Sequence, residues 1–455
     1  MSERVPFNRV DMLIFHFDQT ADLWNVHCEV RVEGRLDPSR LAAAALEAVR
    51  RHPMGRARME PFGSMTRTFH WLIDDEVAAV PLEIVDCTTD AEVEAARVRL
   101  LNTRVDLHVA PPLALALAHH PEGDYLIMNL SHVAGDGMSA YRLMLSICRA
   151  YTGTEDIQPV LPFTHVRNLR SQVGRRDLAD ARTRLRDLAR RISDARNEPP
   201  VTLAVDGGSE GVEGHGFHML RFDRDEAVRI AARRVKPATI NDLLLAALAV
   251  TIRRFNDQRG LAPGRISLLM PVNLRPAEWS KELVSNILSM VPVGILECAQ
   301  SDLVASQAAV AERTAELKEQ RLAGVMVDIL GMVGILPAGV RNAALRWSRG
   351  LPVDSVHTGV LSNLGTLPQP LDFGAGAGAA TELRISPPAC MPEGTGVGVT
   401  MMNGEIFLTL RYRRAQFDAE GAARFAADLR KVLLDEPSPG LPASTDGGIS
   451  HGMSG

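Results

Sequence analysis

The run Tyr125-Leu-Ile-Met-Asn-Leu-Ser131, followed at once by His132-Val-Ala-Gly-Asp-Gly137 and then by Met138 to Tyr151, decides how this chain is read. The first segment, mostly apolar, predicts a strand, and the last predicts a helix. Between them sit a histidine and a tight Gly-Asp-Gly turn. A strand end on a rigid scaffold can present a side chain to a ligand. An imidazole there suits general-base work near neutral pH. The competing reading, for an isolated histidine, is a buried structural residue beside an ordinary turn. The strand-turn-helix context favours catalysis.

Working outward, Leu113 to His119 pairs with Tyr125 to Ser131 as a hairpin. Asn25 to Val32 reads as a strand with Val26, Cys28, Val30 and Val32 on one face. Pro38 to Arg51 is a helix, with Asp37 as N-cap and Pro38 at its first position. Thr66 to Ile73 and Leu82 to Val85 are further strands, and Thr89 to Thr103 is helical. Arg175 to Arg196 is an amphipathic helix rich in arginine, with charges four apart such as Asp180/Arg184 placed to pair.

Residues 197–216, rich in Gly, Pro, Glu and Ser, read as a linker between two halves. The second half resumes with a strand at Gly216 to Phe222 and helices at Arg224 to Lys236 and Thr239 to Asn256. A strand at Arg265 to Val272 and a helix at Asp302 to Gln320 follow. Strands come next around Ser355 to Leu361, Gly396 to Asn403 and Glu405 to Tyr412, and a helix at Asp418 to Leu434 closes the fold. Met402-Asn-Gly-Glu405 is a hairpin turn. The expected organisation is a half over 1–196, the linker, a half over 217–435 and a disordered tail over 436–455. Strands and helices mix in both halves, so the expected class is α/β, two α+β two-layer sandwiches meeting at a cleft.

At 455 residues and 46% apolar, the chain can bury two cores. Its net charge of −5 points to neither nucleic acid nor a polyanionic substrate. Cys28, Cys87, Cys148, Cys298 and Cys390 are scattered, which argues for reduced thiols in a cytoplasm. Met1 to Phe7 has no signal-peptide core. Leu322 to Val340, interrupted by Asp328, Gly331, Gly334 and Pro337, fits a buried or interfacial helix pair better than a membrane span. No His/Cys cluster has metal-ligand spacing; His119, His120, His215 and His218 are expected in surface loops. Gly394-Thr-Gly-Val-Gly398 is expected to be a glycine-kinked loop.

His132-Val-Ala-Gly-Asp-Gly137 resembles the H-x-x-x-D-G signature of the CoA-dependent acyltransferase superfamily, which includes chloramphenicol acetyltransferase, condensation domains, plant BAHD acyltransferases and wax ester synthases. Further stretches resemble that superfamily in the same order. They are Arg51-His-Pro-Met-Gly-Arg56, Ile240-Asn-Asp-Leu-Leu-Leu245, Pro271-Val-Asn-Leu-Arg275 with Asn286-Ile-Leu-Ser289, Ser362-Asn-Leu-Gly365 and Asp372-Phe-Gly-Ala-Gly376. Together they cover nearly the whole chain. One departure stands out: many relatives carry a second histidine directly before the catalytic one, and here it is Ser131. Strand alternation points that residue away from His132.

The resemblance implies two chloramphenicol-acetyltransferase-like halves, V-shaped, with the active site in the cleft. It implies transfer of an acyl group from acyl-CoA, or from a phosphopantetheine-linked acyl or peptidyl carrier protein, to a small alcohol or amine, with no bound cofactor or metal. His132 would take the acceptor's proton. Asp136 would pair with an arginine, Arg275 first and Arg56 second, and so hold the turn. The N–H of Gly137 would face the oxyanion, the alternative being a positive-φ turn glycine. Ser362, Asn363, Asn286 and Ser289 would reach the substrate, although a strand-end turn is the plainer use of the first two. Asn241 and Asp242 more often start a helix. The basic helix at 175–196 would be a solvated face, or a surface for the phosphates of the CoA or carrier arm. Two other readings stay open: a non-catalytic protein that binds a carrier protein, and a cyclisation or epimerisation catalyst on the same scaffold.

Overall fold

A computed structural model of the chain describes residues 2–434, apart from 21, 158–162, most of 170–196, 277–281, 320–338, 341–356, 368 and 391–393. The expected tail at 436–455, most of the arginine-rich helix and nearly all of Leu322 to Val340 lie outside the described residues. Within the arginine-rich stretch, Arg184 and Asp180 do pair, at 3.0 Å.

In chain order the first part runs β1 (Glu3–Pro6), α1 (Arg9–Thr20), β2 (Asn25–Val32), α2 (Pro38–Arg51), β3 (Ala57–Met59), β4 (His70–Ile73), β5 (Leu82–Asp86), α3 (Asp90–Leu101), β6 (Leu113–His119), β7 (Tyr125–Ser131) and α4 (Gly137–Thr152). The second part holds β8 (His215–Phe222), β9 (Ile266–Asn273), β10 (Leu288–Ile295), β11 (Gly359–Thr366), β12 (Ala380–Ser386), β13 (Thr395–Met402) and β14 (Glu405–Arg413). Its helices include Arg224–Ala232, Ile240–Gln258, Leu303–Glu319 and Ala419–Leu434. Local chemistry sets many boundaries. Asp37 caps α2 by accepting from the Arg40 N–H at 2.7 Å, with Pro38 opening the helix. Thr89 with Glu92, Asp223 with Glu226 and Thr239 with Asp242 form reciprocal capping boxes. Asn403 and Gly404, at φ 55° and 81°, make the tight turn between β13 and β14.

Two large sheets organise the molecule, in the orders β12-β2-β7-β6-β5 and β10-β9-β11-β13-β14-β8, beside a small β1-β4-β3 sheet. Separate apolar cores back the two large sheets, one including α2 and α4, the other the helices Ile240–Gln258 and Ala419–Leu434. This is the expected pair of α/β halves. β7 is central in its sheet, antiparallel to both β2 and β6. The His132 N–H donates to the Trp24 carbonyl at 2.9 Å, so pairing with the β2 side continues past the strand end.

The boundary between the halves is not a simple cut. β12 comes from the second part of the chain yet pairs antiparallel with β2, Ser386 opposite His27 and Leu383 opposite Val30. The 197–216 stretch is not a free tether either. Leu203 and Ala204 are buried, and Gln416 donates to both of their carbonyls, at 3.0 and 2.7 Å. Apolar contact and backbone bonds stitch it to the second half.

The glycine run Gly394 to Gly398 is expected as a kinked loop with a strand starting at Gly396; the strand is present as β13 and already begins at Thr395. Its glycines answer a different need, the passage of β12. A Cβ built on Gly398 would sit 2.0 Å from the Ile385 carbonyl oxygen, backbone against backbone. Gly398→Ala is therefore expected to destabilise the protein by roughly 1–3 kcal/mol, the usual range for overpacking. Chemical denaturation checks it, and wild-type stability would show that the crossing can yield.

Candidate active site

Asp136 is the N-cap of α4, and its carboxylate is the busiest acceptor in the site. Oδ1 accepts from the Ser139 N–H at 2.9 Å, the Ser139 hydroxyl at 2.9 Å and Arg275 Nη2 at 2.7 Å. Oδ2 accepts from Arg275 Nη1 at 2.9 Å and the Ile287 N–H at 3.2 Å. Burial pushes this carboxyl's pKa up, but Arg275 and the two backbone N–H groups outweigh it and hold the pKa below the ordinary value. Arg275 is saturated in turn, donating to the Leu283 carbonyl at 3.0 Å, the Ser285 carbonyl at 2.7 Å, Asn273 Oδ1 and Ser139 Oγ. Both members of the pair are buried. The pair joins the first half's turn to the segment between β9 and β10 of the second.

His132 is 5% exposed and leads into this turn. Burial lowers its pKa, against the opposing charge of Asp136, so the ring is neutral at pH 7. Its Nδ1 has no partner at hydrogen-bonding geometry among the described residues. The Trp24 ring lies 6.1 Å away, centroid to centroid.

His132, Asp136, Gly137 and Arg275 line a cavity of about 190 Å³ between the halves, together with Ser362 and Asn363. The rest of its wall is largely apolar and includes Trp24, Leu269, Leu288, Met290, Ile385 and Pro387. Ser131 is buried but is not among the lining residues, in keeping with strand alternation. Gly137 opens α4 without a positive φ, so the turn-glycine alternative does not hold; an added Cβ would meet Leu364 at 3.4 Å. Asn363 accepts from the Gly365 N–H at 2.8 Å and lies 3.4 Å from Asn241, whose helix starts at the Thr239/Asp242 capping box.

Three expected residues are placed elsewhere. Arg56 ends a short turn before β3, and its guanidinium donates to the carbonyls of Asp74 and Asp75, so it is not the partner of Asp136. Ser289 is buried in β10 opposite Val272 and does not line the cavity. Asn286 is fully buried behind the turn: its amide donates to the carbonyls of His132 at 2.7 Å and Val133 at 2.8 Å, and to Asp11 Oδ1 at 3.1 Å. It holds the loop that carries His132 from outside the cavity. Two of the histidines expected on the surface are interior. His215 is fully buried and bonds the Ala389 carbonyl at 2.8 Å, and His120 is 6% exposed. Among the described residues no group of His, Cys, Asp and Glu could hold a metal ion, and no helix is long and apolar enough to cross a membrane.

Ser139, Ser285, Trp24 and the Ile385 to Pro388 wall were not foreseen. Ser139 had a legible signal, since it stands three residues after an N-cap aspartate. The others are brought in by strand pairings remote in sequence.

Comparison with known proteins follows the same lines. Among solved structures, the starter condensation domain of rhizomide synthetase, in complex with C8-CoA, aligns with a TM-score of 0.66 at 16% identity over 96% of each chain. The epimerization domain of the third module of tyrocidine synthetase B aligns at 0.64 and 15% identity, covering 96% of this chain and 97% of that one. A cyclization-docking bidomain, EpoB of Sorangium cellulosum, aligns at 0.65 and 17%, covering 95% and 86%. By fold, then, the chain is similar to condensation, cyclization and epimerization domains. By sequence it belongs to the family of the uncharacterized protein Rv2305 of Mycobacterium tuberculosis, to which it is 37% identical over 413 residues, 90% of this chain and 94% of that protein. No family model matches.

Removing one partner of a buried ion pair strands the other's charge, at a cost of roughly 3–5 kcal/mol. Asp136→Ala should lose stability on that scale, whereas His132→Ala should melt close to wild type. Equal melts would deny Asp136 its structural role. Asn286→Ala, which leaves two loop carbonyls without a donor, should cost about 1–3 kcal/mol by the same measurement.

Proposed function

We propose that the protein is an acyltransferase that moves an acyl group from a thioester, either acyl-CoA or an acyl or peptidyl carrier's phosphopantetheine arm, to a hydroxyl or amine acceptor. The observation that carries the reading is a buried, neutral imidazole in a cavity between two halves, on a loop clamped by Asp136–Arg275 and Asn286. His132 takes the proton from the acceptor O–H or N–H as its oxygen or nitrogen attacks the thioester carbonyl. The C–S bond breaks as the tetrahedral centre collapses, and the imidazolium returns the proton to the leaving thiolate. A positioned base contributes roughly 10²–10⁴ in rate, and alignment of two bound substrates contributes much of the rest. Ser362 and Asn363, on the second half, line the same cavity, which supports a part for them in orienting the reactants. The apolar wall suits an acyl chain or an apolar acceptor. Asp136, saturated by five donors, has no capacity left for substrate and acts by holding the loop.

Thiol release from acyl-CoAs of graded length, with mixed alcohols and amines, tests the reading. Acceptor-dependent release in wild type should fall at least 10²-fold in His132→Ala. Release that survives that substitution rejects His132 as the base. Absence of release from every acyl-CoA and every acylated carrier protein rejects the acyltransferase. Because burial lowers the pKa of His132, its basic form persists below the ordinary imidazole value of 6.5. The acid limb of kcat/KM should accordingly lie below pH 6.5, and an acid limb above it would contradict this environment.

A further inference from the structure

One side chain narrows the cavity between the halves. Leu364, on β11 of the second half, lines the cavity and packs against the first half's core. Its Cδ2 comes within 3.4 Å of the place where a Cβ on Gly137 would stand. Among the described residues, no other atom beyond Gly137's own neighbours and helix backbone lies within 4 Å of that place. At this point of the seam the first half offers backbone alone, and the leucine fills the gap.

The local shape of β11 aims the residue. Asn363 stands opposite Val399 of β13 and Thr366 opposite Met401, so β11 carries one residue more than β13 over that interval. A bulge of this kind bends a strand and re-aims side chains. Gly365 absorbs it at φ 69°, a left-handed conformation open to glycine. The Gly365 N–H donates to Asn363 Oδ1 at 2.8 Å, and the Asn363 amide nitrogen lies 3.4 Å from Asn241 Oδ1. On the other edge, pairing of β11 with β9 ends at Val360 opposite Leu269. The cavity lies where these two strands part, with Leu269 and Pro271 lining it from β9 and Val360 and Leu364 from β11.

The space so enclosed is small. About 190 Å³ falls below the roughly 300–1,000 Å³ of pockets that take drug-sized ligands. Other apolar wall residues are poor determinants of its length. Leu288 and Ile385 belong to the first half's buried core, and truncating them would hollow that core. Met290 is partly exposed, but an unbranched thioether adapts its shape to what it meets. Leu364 is partly exposed, branched, and carried on a strand that the bulge fixes. Cut back opposite a glycine, it would leave space that joins the cavity.

We infer that Leu364 is a specificity-determining residue, the side chain that limits the length of aliphatic chain the cavity admits. The inference rests on the acyltransferase reading and leaves two sources for that chain, the acyl group of the thioester and an alkyl acceptor.

Calorimetric titration with 1-alkanols of increasing length tests the limit without any transfer. Wild type, Leu364→Ala, Leu364→Val and Leu364→Phe are compared, each with its melting temperature, and the valine variant decides if the alanine one does not fold. Wild-type affinity should rise about fourfold with each CH2 that enters, the equivalent of about 0.8 kcal/mol, and level off at a limiting length. That limit should lengthen by about three carbons in Leu364→Ala and about one in Leu364→Val, the carbons removed, and shorten in Leu364→Phe. An unchanged limit in the folded variants, or a wild type that binds no alkanol, overturns the inference. Thiol release then identifies the chain, using acyl-CoAs of graded length with one acceptor and alcohols of graded length with one donor. The series whose preferred length shifts in Leu364→Ala names the source; in an active enzyme, a shift in neither overturns the inference. A shifted alkanol limit in a protein that transfers no acyl group would keep Leu364 and discard the acyltransferase. His132-dependent transfer with an unchanged limit would do the reverse.

Discussion

The Asp136–Arg275 pair is the constraint on which the rest of the site depends. It joins a turn that leaves the first sheet to a segment that enters the second, through two short charge-assisted bonds. Buried ion pairs are poor net sources of stability, because desolvation consumes most of the attraction. What this one supplies is geometry. A planar guanidinium on a planar carboxylate admits few relative positions of the two halves. Ser139 and Ile287 occupy the remaining lone pairs, so none of those positions can drift. The cavity, its neutral imidazole and the Ser362–Asn363 wall are held to within a side chain's reach of one another.

Much of this was legible in the sequence, and for local reasons. β6, β7 and α2 follow their expected bounds because apolar runs, a helix-capping aspartate and a first-turn proline all act within a few residues. His132, Asp136 and Arg275 were legible as a set because motif order substitutes for distance. What escaped were features created by partners far along the chain. β12 was missed because its reason for being extended is β2, more than three hundred residues earlier. A strand from Gly396 was legible, but the reason for its glycines, which make room for β12, was not. His215 read as a surface residue because its burial depends on Asn102 and Ala389.

Asn286 shows how a motif can identify a residue and mislead about its use. A polar side chain beside a catalytic loop invites assignment to the substrate. Here both amide hydrogens are spent on the loop's own carbonyls and on Asp11, whose other oxygen is held by Arg167 and Trp71. The loop at His132 is thus held by Asn286 of the second half, which Asp11 of α1 holds in turn. Ser131 fits the same logic: its neighbour on the strand faces the cavity and it does not, so a histidine is not required there.

The exchange of β12 into the first sheet has a consequence for how the molecule is made. Pairing between Thr381 and Arg31 spans 350 residues. During synthesis the edge of β2 stays open until nearly the whole chain has left the ribosome, because its partner strand is among the last to emerge. The N-terminal lobe therefore cannot complete its sheet as an autonomous unit. Ile385, and with it the β12 part of the cavity wall, comes into register only in that closing step. Assembly of the pocket is thus tied to completion of the polypeptide, and a truncated product would carry His132 without a finished chamber around it.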